Sequence, residues 1–131
     1  GQEHVELSLT PISEIESGEF VRLKADTPLQ SARQALVSAQ VTEAYVCAAD
    51  DQLIGKVDIH RLAQASSLTS ALDRSPVTLE ADGKLTDAMT TASKFVGESI
   101  PVVHQGRLVG ALSEGDIFNK VLQIQASLRQ Q

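Results

Sequence analysis

The sequence predicts a mixed α/β (α+β) fold built from two packed β-α-β-β-α repeats, and three observations carry that prediction. Asp26, Leu29 and Ala32 recur as Asp82, Leu85 and Ala88, 56 positions further on. Leu53-Ile54-Gly55 is answered by Leu108-Val109-Gly110, 55 positions further on. Around these anchors each half alternates short β-rich runs with a stretch of helical spacing. Units of roughly 55 residues bury only a marginal core alone, so the two are expected to pack on each other and leave a cleft between them.

Each element has its own justification. Phe20 to Lys24 alternates and carries β-formers, which predicts a short strand. Thr27 before Pro28 suits a helix cap followed by proline in the first turn. Leu29, Ala32, Arg33, Leu36 and Val37 then form a stripe at helical spacing to about Ser38. Tyr45 to Ala48 reads as a strand, Asp50-Asp51 as a turn, Leu53 to Val57 as a second strand, and Ile59 to Ala65 as a short helix. The second half repeats this order: strand Val77 to Leu79, turn Glu80 to Gly83, helix Leu85 to Phe95, strand Ile100 to Val103, strand Arg107 to Leu112, and a helix from Glu114 to about Leu128. Leu68 and Leu72 sit in a connecting turn of helix. The expected organisation is residues 1–17 as a linker or short docking segment with a weak apolar pattern (Leu9, Ile12, Ile15), 18–66 as the first repeat, and 67–131 as the second repeat with an extended final helix.

Composition excludes several classes. Hydrophobic residues make up 42% of the 131 residues, which suits a packed domain, and aromatics only 3%, so its core is aliphatic. A net charge of −6 without a Lys/Arg cluster argues against a nucleic-acid partner. The longest apolar run, Ala44 to Ala49, is far short of the ~18 residues of a membrane span, and no signal peptide opens the chain. Gly1 is compatible with the remnant of a cleaved tag, and hence with a domain excised from a larger protein. Cys47 is the single cysteine and reads as a small buried hydrophobe.

Three groups of residues invite a chemical reading. In Gly110-Ala111-Leu112-Ser113-Glu114-Gly115-Asp116 a strand runs into a helix, placing Ser113 at the N-cap and Asp116 three residues on. A helix start favours anions; a carboxylate there can accept two hydrogen bonds from a vicinal diol, and the serine hydroxyl can donate to phosphate. The same spacing is that of a capping box, in which both side chains only satisfy backbone N–H groups. In Gly97-Glu98-Ser99-Ile100-Pro101 a glycine turn and a proline at the strand start leave main-chain groups free beside an apolar wall, suited to a flat heterocycle; an ordinary helix-to-strand loop has the same composition. His4, His60 and His104 share no metal-ligand spacing, so no metal is expected. Neither a serine elbow nor a phosphate-binding loop is present, so no enzyme is expected.

From about Phe20 to Leu122 these residues resemble a tandem pair of cystathionine β-synthase (CBS) domains, a Bateman module. The resemblance implies two repeats about a pseudo-twofold axis, with adenine nucleotides (AMP, ADP or ATP) in the inter-repeat cleft. Gly110, Ala111, Leu112, Ser113 and Asp116 match the family's Gly-h-h-[Ser/Thr]-x-x-Asp ribose and phosphate pattern, h being apolar. Gly97, Glu98, Ile100 and Pro101 correspond to its adenine-side loop, with Val77 lining the wall. The first repeat departs from the pattern: Asp58 stands where the serine should be, Arg61 where the aspartate should be, and Tyr45-Val46 where Ile100-Pro101 stands. One nucleotide per chain at most is therefore expected. The resemblance also implies a homodimer through helices of the repeats. Phe95 to Val103 with Gly110 to Asp116 is similar to the C-terminal CBS pairs of bacterial ClC-type chloride channels and transporters, which implies a regulatory domain on the cytoplasmic side of a membrane transport protein. A ligand-free structural dimerisation module, or the regulatory segment of a soluble enzyme, remain the alternatives.

Overall fold

A computed structural model describes residues 1–130. The helices are α1 (Gln2–Leu9), α2 (Leu29–Ala39), α3 (Ile59–Gln64), α4 (Leu85–Ala92) and α5 (Glu114–Arg129); the strands are β1 (Arg22–Lys24), β2 (Glu43–Cys47), β3 (Leu53–Asp58), β4 (Leu79–Glu80), β5 (Ile100–His104) and β6 (Arg107–Leu112). The repeats are thus β1-α2-β2-β3-α3 and β4-α4-β5-β6-α5, each with a three-stranded sheet in sequence order. In each sheet the first two strands are parallel, Arg22 opposite Tyr45 and Leu79 opposite Val102. A parallel pair needs a crossover connection, and α2 and α4 supply it. None of the described helices is long and apolar enough to cross a membrane.

The chain divides into two compact units: residues 1–18, 77–104 and 109–131 form one, and 19–76 with 105–108 the other. In the second of these, Leu23, Ala32, Leu36, Val46, Val57 and Leu62 form an aliphatic core. Every second β2 residue, Ala44 and Val46, belongs to it, and α2 contributes Ala32 and Leu36 at helical spacing. Tyr45 is only 1% exposed and meets Phe20 edge-on, ring centroids 5.9 Å apart. Gly55 lies where a Cβ would stand 2.7 Å from the Asp73 carbonyl oxygen, because Lys56 and Asp73 exchange backbone hydrogen bonds of 2.9 and 2.8 Å there.

In the other unit, Leu79, Leu85, Ala88, Ile100, Leu112, Ile117 and Val121 pack with Leu7, Ile12 and Ile15 from the chain's beginning. The first residues thus form a helix and a short 3₁₀ turn built into this core. Ile12 N donates to Gly83 O and Leu85 N to Thr10 O, both at 2.8 Å. Leu7 is the buried residue of α1, whereas Leu9 is exposed.

Several boundaries differ from the sequence reading. Strand β1 starts at Arg22 rather than Phe20, and β2 at Glu43 rather than Tyr45. Thr27 does not cap α2: Pro28 occupies the N-cap position with ψ 144°, too extended for a first helical residue. The strand expected at Val77 to Leu79 pairs only over Leu79–Glu80, leaving Val77 outside the ladder and about half exposed. Helix α4 stops at Ala92 rather than Phe95, because the Ser93 hydroxyl donates to the Thr90 carbonyl at 2.7 Å and competes with the backbone ladder.

Candidate functional site

The start of α5 concentrates the features singled out in the sequence. Strand β6 delivers Ser113 in an extended conformation to the N-cap position. Its Oγ accepts from Asp116 N at 3.1 Å, and Asp116 Oδ2 accepts from Ser113 N at 2.9 Å. This is a complete capping box, so that reading of the spacing describes the structure. It leaves the diol reading open in a specific way. A carboxylate offers about four lone-pair directions, the box uses one on Oδ2, and among the described residues no donor reaches Oδ1. The Ser113 hydroxyl also keeps its own proton to give.

The approach to Asp116 is shaped by residues that sequence reasoning missed. Ser17 Oγ donates to Ala111 O at 2.7 Å and accepts from Ala111 N at 2.9 Å, imitating a neighbouring strand on β6. Gly110 permits this proximity, since a Cβ there would stand 3.4 Å from Ser17. Gly18 follows, and a Cβ on it would stand 3.6 Å from Asp116 Oδ2 and 3.8 Å from Oδ1. Without that Cβ, the carboxylate borders a cavity of about 280 Å³ whose wall includes Glu14, Glu16, Gly18, Asn119 and Lys120. Lys120 lies one turn beyond Asp116 on α5 and was detectable by its i, i+4 spacing. The Glu14 to Gly18 wall had no such signal, being about a hundred positions away in the chain.

The other expected site residues are placed differently. Ile100 and Pro101 are buried on β5, Ile100 within the core. Gly97 has φ 149°, a conformation glycine adopts freely, and with Glu98 lies on the exposed loop before β5. Neither these four residues nor Val77 lines the cavity beside Asp116.

At the matching position of the first repeat, the N-cap of α3 is Asp58. Its Oδ1 accepts from Arg61 N at 2.8 Å, and its Oδ2 lies 3.9 Å from Arg61 Nε. Arg61 Nη1 turns to the Leu72 carbonyl at 3.4 Å. No carboxylate occupies the third position of this helix. The same unit has a larger hollow of about 680 Å³, lined by Arg22 to Asp26 and Cys47 to Asp51. Burial pushes the Cys47 thiol above its ordinary value and Arg22 pulls it only partly back, so it is not an activated nucleophile.

Comparison with known proteins agrees with this fold. Residues 69–123 match the CBS domain family. Staphylococcus aureus OpuCA superposes with a TM-score of 0.73 at 25% identity, covering 82% of this chain and 96% of that one. CBSX2, a CBS-pair protein of Arabidopsis thaliana, in complex with AMP gives 0.74 at 22% identity over 88% and 98% of the two chains. The CBS domain pair of protein MJ0100, in complex with 5′-methylthioadenosine and S-adenosyl-L-methionine, gives 0.68 at 18% identity over 87% and 97%. No curated protein sequence matches the chain. The chain therefore carries a CBS domain in its second repeat, and its fold is that of a CBS-domain pair.

Proposed function

We propose that this CBS pair is a regulatory module that binds an adenine nucleotide (AMP, ADP or ATP) or a related adenosine compound, at most one per chain, and transmits that binding to an attached protein. The observation that carries the reading is the asymmetry of the two helix starts. Asp116 keeps one carboxylate oxygen without a protein donor and borders a cavity, whereas both Asp58 oxygens are engaged by Arg61. Asp116 receives the ribose diol and Ser113 donates to the ligand. Gly97, Glu98, Ile100, Pro101 and Val77 are assigned to the adenine side. Charge-assisted hydrogen bonds contribute about 1.5–3 kcal/mol each, so two to the diol supply up to about 6 of the roughly 8 kcal/mol of a micromolar complex, the adenine side and Ser113 supplying the rest. The ligands of CBSX2 and MJ0100 support this chemistry. Binding acts by differential affinity for two conformations of the module.

The attached protein in this reading is a ClC-type membrane transport protein, with the module as a homodimer on the cytoplasmic side. Support comes from the likeness of Phe95 to Val103 and Gly110 to Asp116 to such proteins, and the sequence flanking the chain tests it. Titration calorimetry with adenosine, AMP, ADP and ATP tests the site: micromolar binding by wild type, weakened at least about tenfold in Asp116→Ala, is expected. No heat with any of them overturns it. A second reading, a ligand-free dimerisation module, is favoured by an apolar hollow of about 490 Å³ whose wall includes Met89, Ala92, Ile117 and Phe118. Phe118 is 62% exposed there. That reading predicts a dimer in solution whose melting temperature is unmoved by nucleotide.

A further inference from the structure

We infer that the preferred ligand at Asp116 carries no phosphate and is a nucleoside with a neutral or cationic 5′ substituent. The inference rests on the ribose role proposed above and concerns what the surrounding wall selects. Three carboxylates (Glu14, Glu16 and Asp116) border the cavity, against the single ammonium of Lys120. None of these four groups is ion-paired among the described residues. Nor do they form a metal cage, since no His, Cys, Asp and Glu cluster among the described residues could hold a metal ion.

A space of about 280 Å³ is about 8 Å across, no more than the Debye length at physiological salt. A ribose seated on Asp116 would therefore hold its 5′ group within about one screening length of both glutamates, where their charges are only partly screened. A 5′ phosphate meets net repulsion there, because Lys120 offsets only one of the wall's charges. The dipole of α5 does not reverse the sign. Its first turn already holds Glu114 and Asp116, and Asp116 N is occupied by Ser113 Oγ. A protonated amine at the 5′ position instead gains from the same carboxylates.

The test is a charge ladder by titration calorimetry at low salt: 5′-amino-5′-deoxyadenosine, adenosine, AMP and ATP. Affinity is expected to fall in that order, AMP binding about fivefold more weakly than adenosine, with the gap narrowing as salt is raised. In Glu14→Gln/Glu16→Gln, both positions being exposed, AMP is expected to approach adenosine. AMP or ATP binding more tightly than adenosine, in a manner lost in Asp116→Ala, overturns the inference and leaves the nucleotide reading standing. A gap that persists in the double glutamine variant also overturns it. Absence of heat from all four ligands removes both.

Discussion

At the start of α3, Asp58 accepts the Arg61 N–H and draws in the guanidinium of the same residue; at the start of α5, Ser113 and Asp116 cap each other and one carboxylate oxygen is left over. Both are sound helix caps, worth about 1 kcal/mol each. They differ in what remains after capping. The first arrangement turns both carboxylate oxygens toward Arg61 of its own helix, while the second retains an oxygen without a protein donor and a hydroxyl proton. Repetition of a fold thus preserves a structural task twice and leaves a chemical opportunity only once. The hollows behind the two helix pairs differ as well. Arg33 donates twice to the Leu62 carbonyl, at 3.0 and 2.8 Å, across α2 and α3, whereas its counterpart Met89 borders an open apolar groove.

The comparison can be broken at several points. The largest expected effect lies at the paired glycines. Gly55→Ala places a methyl group 2.7 Å from the Asp73 carbonyl and 2.9 Å from Leu72, and should cost about 2–3 kcal/mol in urea denaturation. Gly110→Ala meets Ser17 at 3.4 Å and should cost under about 1 kcal/mol; equal losses would contradict the different closeness of the two sites. Next, Asp116→Ala should lose about 1 kcal/mol of stability together with adenosine affinity, whereas Asp58→Ala should lose a similar stability and no affinity. Affinity loss in both would mean that the repeats are not divided in function. Arg33→Ala should cost about 1 kcal/mol, and Met89→Ala should leave stability nearly unchanged but weaken any self-association measured by light scattering.

The smallest effect concerns pH. The folded state raises the Cys47 thiol, so the unfolded chain ionises first. Stability should be fully present below the unfolded value of about 8.5 and decline as pH rises beyond it. That alkaline decline should be reduced in Cys47→Ala, and an unchanged profile would assign it to other groups.

Local patterns made part of this molecule legible. The Leu29, Ala32 and Leu36 stripe announced α2 because a helix repeats its buried face every three or four residues. Ser113 and Asp116 announced a helix start because capping depends on a fixed spacing. The role of the first residues was less accessible. Helix α1 is eight residues long, and its apolar pattern pointed to Leu9, whereas Leu7 is buried. What decides between them is packing against residues far along the chain, and no local period records that. The same applies to the Asp116 cavity, where one wall follows from helical spacing on α5 and the other comes from Glu14 to Gly18.

One core draws on segments about a hundred positions apart in the chain: Leu7, Ile12 and Ile15 sit with Ile117 and Val121. During synthesis Ile12 and Ile15 leave the ribosome about a hundred residues before Ile117 and Val121, and stay solvated until those partners exist. A fragment starting at Val77 would contain every strand of the second sheet yet lack three of the side chains that close its interior, so isolating that repeat intact requires residues 1–18 as well.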